Sequence, residues 1–232
     1  MPIHTHLQET AQEVDESLSK FGERPTKRME RLGVLSPDFV GAHGVHLNAE
    51  DIARLAKNAG NIVHCPSSNL KLASGIAPIT ALAKAGANVA IGTDGAASNN
   101  RLDMFEEMRL AALLAKVQAN DASAFPAEAA FRAATINGAH ALGLSKLIGS
   151  LEIGKQADMI AISCDAIGMN PMFDPVSHLV YVASRADVIH TWVAGKACVM
   201  DGGLARDAQQ RLADARLQMA EFSDRVSTIR RA

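Results

Sequence analysis

Four short stretches each end in residues able to bind a metal or carry a proton: His4-Thr5-His6-Leu7-Gln8-Glu9, Ala42-His43, Val63-His64 and Gly92-Thr93-Asp94. Each stretch reads as a strand, at residues 2–6, 38–43, 61–64 and 88–93, and segments with helical spacing separate them. Strands that alternate with helices imply a parallel sheet with right-handed crossovers. In a barrel of parallel strands the chemistry-bearing side chains gather at the carboxyl ends, all on one face. The four tips would then bring His6, Glu9, His43, His64 and Asp94 near one point. A closed barrel needs eight strands, so the fold class is α/β, with four strand–helix units forming the carboxyl-terminal half of a (β/α)8 TIM barrel.

The helical segments are expected at 9–20, 26–32, 49–59, 78–85, 102–118 and 126–142. Ile52, Leu55 and Ala56 share one face of the third, as an amphipathic helix requires. Asn48 is its expected N-cap, because a short side-chain acceptor satisfies a free N–H of the first turn. Pro126 stands at the start of the last helix, where a missing N–H costs little. Residues 65–69 (Cys-Pro-Ser-Ser-Asn) read as a loop and 95–100 as a tight loop. Beyond Ile148 the composition changes. A turn-rich stretch, 149–158, leads to strands at 159–163, 188–192 and 197–200, the last two joined by Ala194-Gly195-Lys196 as a tight turn. A polar, charged helix follows over 204–229. The expected organisation is a barrel half over 1–148, a small β segment over 149–203 and a C-terminal helix over 204–232.

Hydrophobic residues make up 48% of the 232, enough for a substantial core, and the net charge is −2. Without a basic stripe, nucleic acid is not an expected partner; the Arg230-Arg231 pair reads as a solvated tail. The three cysteines, Cys65, Cys164 and Cys198, are far apart and contain no CxxC. They read as reduced thiols rather than disulfides. No segment reads as a signal peptide or a membrane span, so the expected location is cytoplasmic, with no membrane partner. The first strand already carries His4 and His6, which suggests a missing amino-terminal half.

His6 and Glu9 stand three residues apart. A ring nitrogen of His6 suits a metal, and a carboxylate one step beyond reaches a metal-bound water, whose pKa the ion lowers to about 7. The same pair also fits a solvated helix start. Asp94 follows a buried run, where an acid is costly unless paired or bound to a cation; it reads equally as a ligand or as an N-cap. His43 fits a third ligand or a neutral acid–base group, and His64 a pocket residue or a hydrogen-bonded strut. His46 is expected to be exposed. His4 shares a strand face with His6 but lies a layer deeper. His140, His178 and His190 have no partners in the pattern. GxGxxG, P-loop and G-x-S-x-G motifs are absent.

Taken in order, several segments resemble the amidohydrolase superfamily. They are His6-Leu7-Gln8-Glu9-Thr10, Ala42-His43-Gly44-Val45-His46-Leu47, His64-Cys65-Pro66-Ser67-Ser68-Asn69-Leu70-Lys71-Leu72 with Gly75-Ile76-Ala77-Pro78, and Gly92-Thr93-Asp94-Gly95-Ala96-Ala97-Ser98-Asn99-Asn100 followed by Met104-Phe105-Glu106-Glu107-Met108-Arg109. Residues 149–158 resemble the family's return from barrel to β-sandwich, which implies that 149–203 is part of a small β-sandwich. The likeness is to its triazine-hydrolase/deaminase branch and, within that, to 5-methylthioadenosine/S-adenosylhomocysteine deaminases. It implies hydrolytic deamination of an aminopurine nucleoside with release of ammonia. One divalent metal, zinc or else iron, is implied per complete site. His6 and Asp94 are the implied metal ligands, and Glu9, His43 and Asp94 the catalytic residues. Glu9, His64, Ser98 and Asn99 are the implied substrate contacts. The family's HxH metal ligands of strand one have no counterpart here, so the chain alone is expected to bind metal weakly and to be inactive. Its open sheet edges make a homo-oligomer the expected state. Guanine or 8-oxoguanine deamination, triazine hydrolysis, and a non-catalytic fragment acting only in assembly are the alternatives.

Overall fold

The structure is a computed structural model that describes residues 2–229; the Arg230-Arg231 pair lies outside them. It divides into two compact units. The first holds the chain up to Lys155 together with Cys164–Arg185, and the second holds Gln156–Ser163 and the chain from Ala186 onward.

The first unit runs β1 (Ile3–Leu7), α1 (Ala11–Phe21), α2 (Pro25–Arg31), β2 (Phe39–His43), α3 (Ala49–Lys57), β3 (Asn61–His64), α4 (Pro66–Lys71), α5 (Ile79–Lys84), β4 (Asn88–Ile91), α6 (Ala96–Asn99), α7 (Met104–Ala119), α8 (Ala127–Ala133) and α9 (Ile136–Ala141). The four strands form one parallel sheet in the order β1-β2-β3-β4. Every residue of β2 is buried, whereas in β1 Ile3, His4 and His6 are exposed, Thr5 is half-buried and Leu7 is buried. Leu7, Phe39, Leu55, Ile62, Ile79 and Leu82 are fully buried and belong to one continuous core. Each such side chain contributes about 1.5–3 kcal/mol relative to an exposed position.

Polar side chains lock the amino ends of the inner strands. Asn61, fully buried, donates to the carbonyls of Pro37 and Phe39, and accepts from Asn88 Nδ2 at 2.8 Å. Asn137 on α9 in turn donates to the Val89 carbonyl of β4. The expected cap of α3 is present and is reciprocal: Asn48 accepts from the Asp51 N–H while Asp51 accepts from the Asn48 N–H.

Several local expectations are corrected. The loop expected at 65–69 is the helix α4, because Pro66 opens a first turn in which its missing N–H is not needed. The tight loop expected at 95–100 contains the one-turn helix α6. The single helix expected over 126–142 is broken into α8 and α9 at Thr135, whose φ of −128° and ψ of −97° are not helical. The short helix α10 (Pro175–Tyr181) has no counterpart in the sequence reading; Asp174 caps it by accepting from the Val176 N–H, and Val180 is fully buried in the first unit's core.

The second unit is built on an antiparallel sheet in the order β5 (Met159–Ile162), β6 (Val188–Val193), β7 (Lys196–Met200) and β8 (Gly203–Leu204). The β6–β7 turn places Ala194 at φ +50° and Gly195 at φ +77°, the two positive angles a two-residue hairpin of this hand needs. Asp158 Oδ1 accepts the Ala194 N–H at 2.6 Å. α11 (Arg206–Ile229) follows. Among the described residues no helix is long and apolar enough to cross a membrane.

Candidate active site

The carboxyl ends of β1, β2 and β3 and the loop after β4 hold the residues that the sequence singled out. Parallel register sets Leu7 beside His43, and His64 beside Ile91. Three positions at these ends leave the strand direction through left-handed backbone: Gln8 at φ +49°, His43 at +75° and Asp94 at +60°. Such angles cost non-glycine residues about 1–3 kcal/mol each and persist only where surrounding contacts hold them.

His43 is the hub. It is 1% exposed, its ring stacks on that of His6 with centroids 5.3 Å apart, and its Nε2 lies 3.7 Å from Glu9 Oε2. Its Nδ1 lies 3.0 Å from Asn69 Nδ2. Burial lowers the pKa of His43, while the carboxylates of Glu9 and Asp94 work in the opposite direction. Asp94 is exposed and accepts from Ser68 Oγ at 2.7 Å and from Ser98 Oγ at 2.8 Å. Some loss of hydration at the carboxylate opposes its ionisation, but these hydroxyl bonds and the Gly95 N–H hold it below the usual aspartate value.

His64 is also 1% exposed, and neither ring nitrogen has a hydrogen-bond partner. Burial, with a smaller contribution from His43, pushes its pKa down to about 3. The neighbouring Cys65 thiol is driven up to about 12, chiefly by burial. Asn99 is spent on its own loop: it donates to the Thr93 carbonyl and to Glu107 Oε1, and accepts from the N–H groups of Arg101 and Leu102. His46, expected to be exposed, is half-buried, with Nε2 2.9 Å from the Ser74 carbonyl oxygen.

Four residues that shape the site were not assigned a role in the sequence. Ser68 and Asn69 project from α4 toward Asp94 and His43. Fully buried Glu107 accepts from the Ser67 N–H and from Asn99, tying α4 to the Asp94 loop. Glu13 accepts the N–H groups of both Gln8 and Glu9. The Pro66-Ser67-Ser68-Asn69 run hinted at the first two, as small polar residues directly after a strand tip, and Glu107 falls in the Met104–Arg109 stretch singled out by resemblance.

An imidazole and a carboxylate, His6 and Asp94, suit zinc by donor type. Yet among the described residues no three His, Cys, Asp or Glu side chains stand close enough to hold a metal ion, and zinc sites take three or four protein ligands. The donor set in this chain is therefore partial.

The model of the amidohydrolase family matches residues 1–198. The chain belongs to the amidohydrolase family. It is 47% identical over 219 residues to the 5-methylthioadenosine/S-adenosylhomocysteine deaminase of Teredinibacter turnerae, covering 94% of this chain and 50% of that protein. Among solved structures, an adenosine deaminase from Xanthomonas campestris with bound zinc aligns with TM-score 0.92 and 45% identity, over 98% of this chain and 51% of that one. An atrazine chlorohydrolase from Arthrobacter aurescens TC1 complexed with zinc aligns with TM-score 0.85 and 27% identity, over 92% and 47%. This amidohydrolase chain thus spans about half the length of the curated relatives it matches.

Proposed function

We propose that this amidohydrolase chain supplies the carboxyl-terminal half of a hydrolytic deaminase of aminopurine nucleosides, of the 5-methylthioadenosine/S-adenosylhomocysteine type. On this reading β1–β4 are strands five to eight of a (β/α)8 barrel, and the remaining strands come from residues outside this chain. The observation that carries the reading is the gathering of Glu9, His6, Asn69 and, through its charge, Asp94 around the buried ring of His43. That grouping sets a proton carrier, a neutral imidazole and two zinc-type donors at one end of one sheet. Identity of 47% to a relative of that name, against 27% to the triazine-type neighbour, favours the nucleoside over the triazine substrate.

In this reading His6 and Asp94 hold one zinc, with iron as the second choice, together with donors from outside the chain. The ion, when bound, supplies an activated water at neutral pH. Glu9, oriented by its backbone and close to His43, carries a proton to the ring nitrogen of the purine. His43, kept neutral by burial, polarises the reacting centre through a ring nitrogen. Asp94, kept ionised by Ser68 and Ser98, takes a proton from the attacking water, and a proton is returned to the amine, which leaves as ammonia. His64, with two unsatisfied nitrogens, lines the pocket, and Ser98 faces it from the Asp94 loop. Asn99 contributes through that loop.

Alone, the chain is expected to retain well under one zinc after dialysis and to release no ammonia. Joined behind the amino-terminal half of the Teredinibacter turnerae relative, it is expected to deaminate 5-methylthioadenosine. Glu9→Gln should then lower kcat by at least about a hundredfold. A folded, zinc-loaded hybrid inactive on 5-methylthioadenosine, S-adenosylhomocysteine and adenosine would overturn the proposal.

A further inference from the structure

We infer that Glu13 is a positioning residue for Glu9, and this rests on the reading of Glu9 as the proton carrier. Glu13 Oε1 accepts the Gln8 N–H at 2.8 Å, and Oε2 accepts the Glu9 N–H at 2.9 Å. One carboxylate therefore captures two successive N–H groups at the tip of β1. Those bonds fix the peptide planes on either side of Gln8, and with them the direction in which Glu9 leaves the chain.

The arrangement is not that of an ordinary helix cap. Glu13 is the third residue of α1, and Thr10 is the N-cap, its hydroxyl accepting from the Glu13 N–H. A glutamate at that position ordinarily reaches back to the N–H of the cap residue itself. That is what the carboxylate of Asp51 does in α3. Glu13 instead passes Thr10 and binds the two residues before it.

Gln8, fully buried, is held from its other end as well. Its Oε1 accepts from the Thr26 N–H and hydroxyl, and its Nε2 donates to the His46 carbonyl and to Asp51 Oδ2. Arg24 closes the circle with bonds to that same carbonyl and to Asp51 Oδ2. A left-handed residue gripped by main chain and side chain is a rigid pivot. Glu9, the next residue, has no comparable side-chain anchor among the described residues: there its side chain makes one hydrogen bond, a long contact to Ser74 Oγ at 3.5 Å, and His43 lies 3.7 Å away. The aim of Glu9 is consequently set by its backbone, and Glu13 sets the backbone.

The test uses Glu13→Gln, which turns one acceptor into a donor facing an N–H, with Thr10→Val as a control that loosens the same helix but leaves the two captured N–H groups alone. In the chain itself, Glu13→Gln should speed hydrogen exchange of the Gln8 and Glu9 amides at least about tenfold while Thr10→Val does not. In the zinc-loaded hybrid, Glu13→Gln should lower kcat at least about tenfold with KM within about threefold. In a Glu9→Gln background the same substitution should cost nothing further, since it acts through Glu9. Unchanged amide exchange, or an equal kcat loss with and without Glu9, overturns the inference. If Glu9→Gln itself keeps ordinary turnover, the role given to Glu9 fails instead, and amide exchange alone then decides whether Glu13 holds this backbone.

Discussion

Replacing His64 with leucine should make the chain more stable, and by more at acid pH than at neutral pH. His64 is 1% exposed, with both ring nitrogens unsatisfied. Each buried polar group left without a partner costs about 1–3 kcal/mol, so an apolar side chain of similar size recovers part of that at pH 7.5. The pH dependence follows from the depressed pKa, which falls from the ordinary 6.5 to about 3 in the folded chain. Above pH 6.5 the ring is neutral in both states and contributes no slope. Below it the unfolded chain binds a proton that the folded chain refuses until about pH 3, so folding weakens as pH falls through that window. The loss approaches about 1.4 kcal/mol per pH unit, or roughly 2–3 kcal/mol by pH 4.5. The leucine variant lacks this slope, and groups common to both proteins cancel in the difference. The assay is urea denaturation of both proteins at pH 7.5, 6.0, 5.0 and 4.5, followed by far-UV circular dichroism. Hydrogen exchange on β2 and β3 peptides adds a probe specific to the first unit, because the sole tryptophan, Trp192, lies in the second. A stability difference that stays constant across this range would refute the argument that burial keeps His64 uncharged.

Two further outcomes follow from other buried groups. Asp51→Ala removes a reciprocal helix cap and takes from Arg24 Nε and Gln8 Nε2 the carboxylate they share, leaving both residues only the His46 carbonyl as acceptor; with Asp51 1% and Arg24 23% exposed, the expected loss is about 2–4 kcal/mol in the same denaturation assay, and Asp51→Asn should cost less. Cys65, buried and with its thiol raised to about 12, should resist iodoacetamide at pH 8 until the chain unfolds, whereas exposed Cys164 alkylates at once, as peptide mass spectrometry would record.

The residues that declare themselves in the sequence are those whose signal is local. The strands are short runs that lead into a His or an Asp, so β1 to β4 and the positions of His6, His43, His64 and Asp94 could be read directly. α3 announced itself by Asn48 and its apolar face. The break at Thr135 could not be read, because neither glycine nor proline marks it. α4 was hidden by Pro66, a residue that ends helices in their interior and opens them at their first turn. α10 did carry a start signal in Asp174-Pro175, but seven residues are too few for a periodic pattern. Ser68, Asn69 and Glu107 act across 26 to 40 positions of sequence, and no spacing rule reaches that far. Asn99 sits among the site residues, yet only its bonds reveal that the loop consumes them.

Among the described residues β1 and β4 each pair with a strand on one side only. Asn137 occupies the carbonyl of Val89 on β4, whereas β1 is exposed along most of its length. A bare ladder side does not discriminate: the groups that would accept a neighbouring barrel strand accept any extended backbone in the same geometry. If the proposed function holds, pairing with a further barrel strand and association between separate copies therefore compete for Ile3–Leu7, and higher protein concentration favours association. A lysine at exposed Ile3 would slow the clumping of separate copies while sparing the histidine tips.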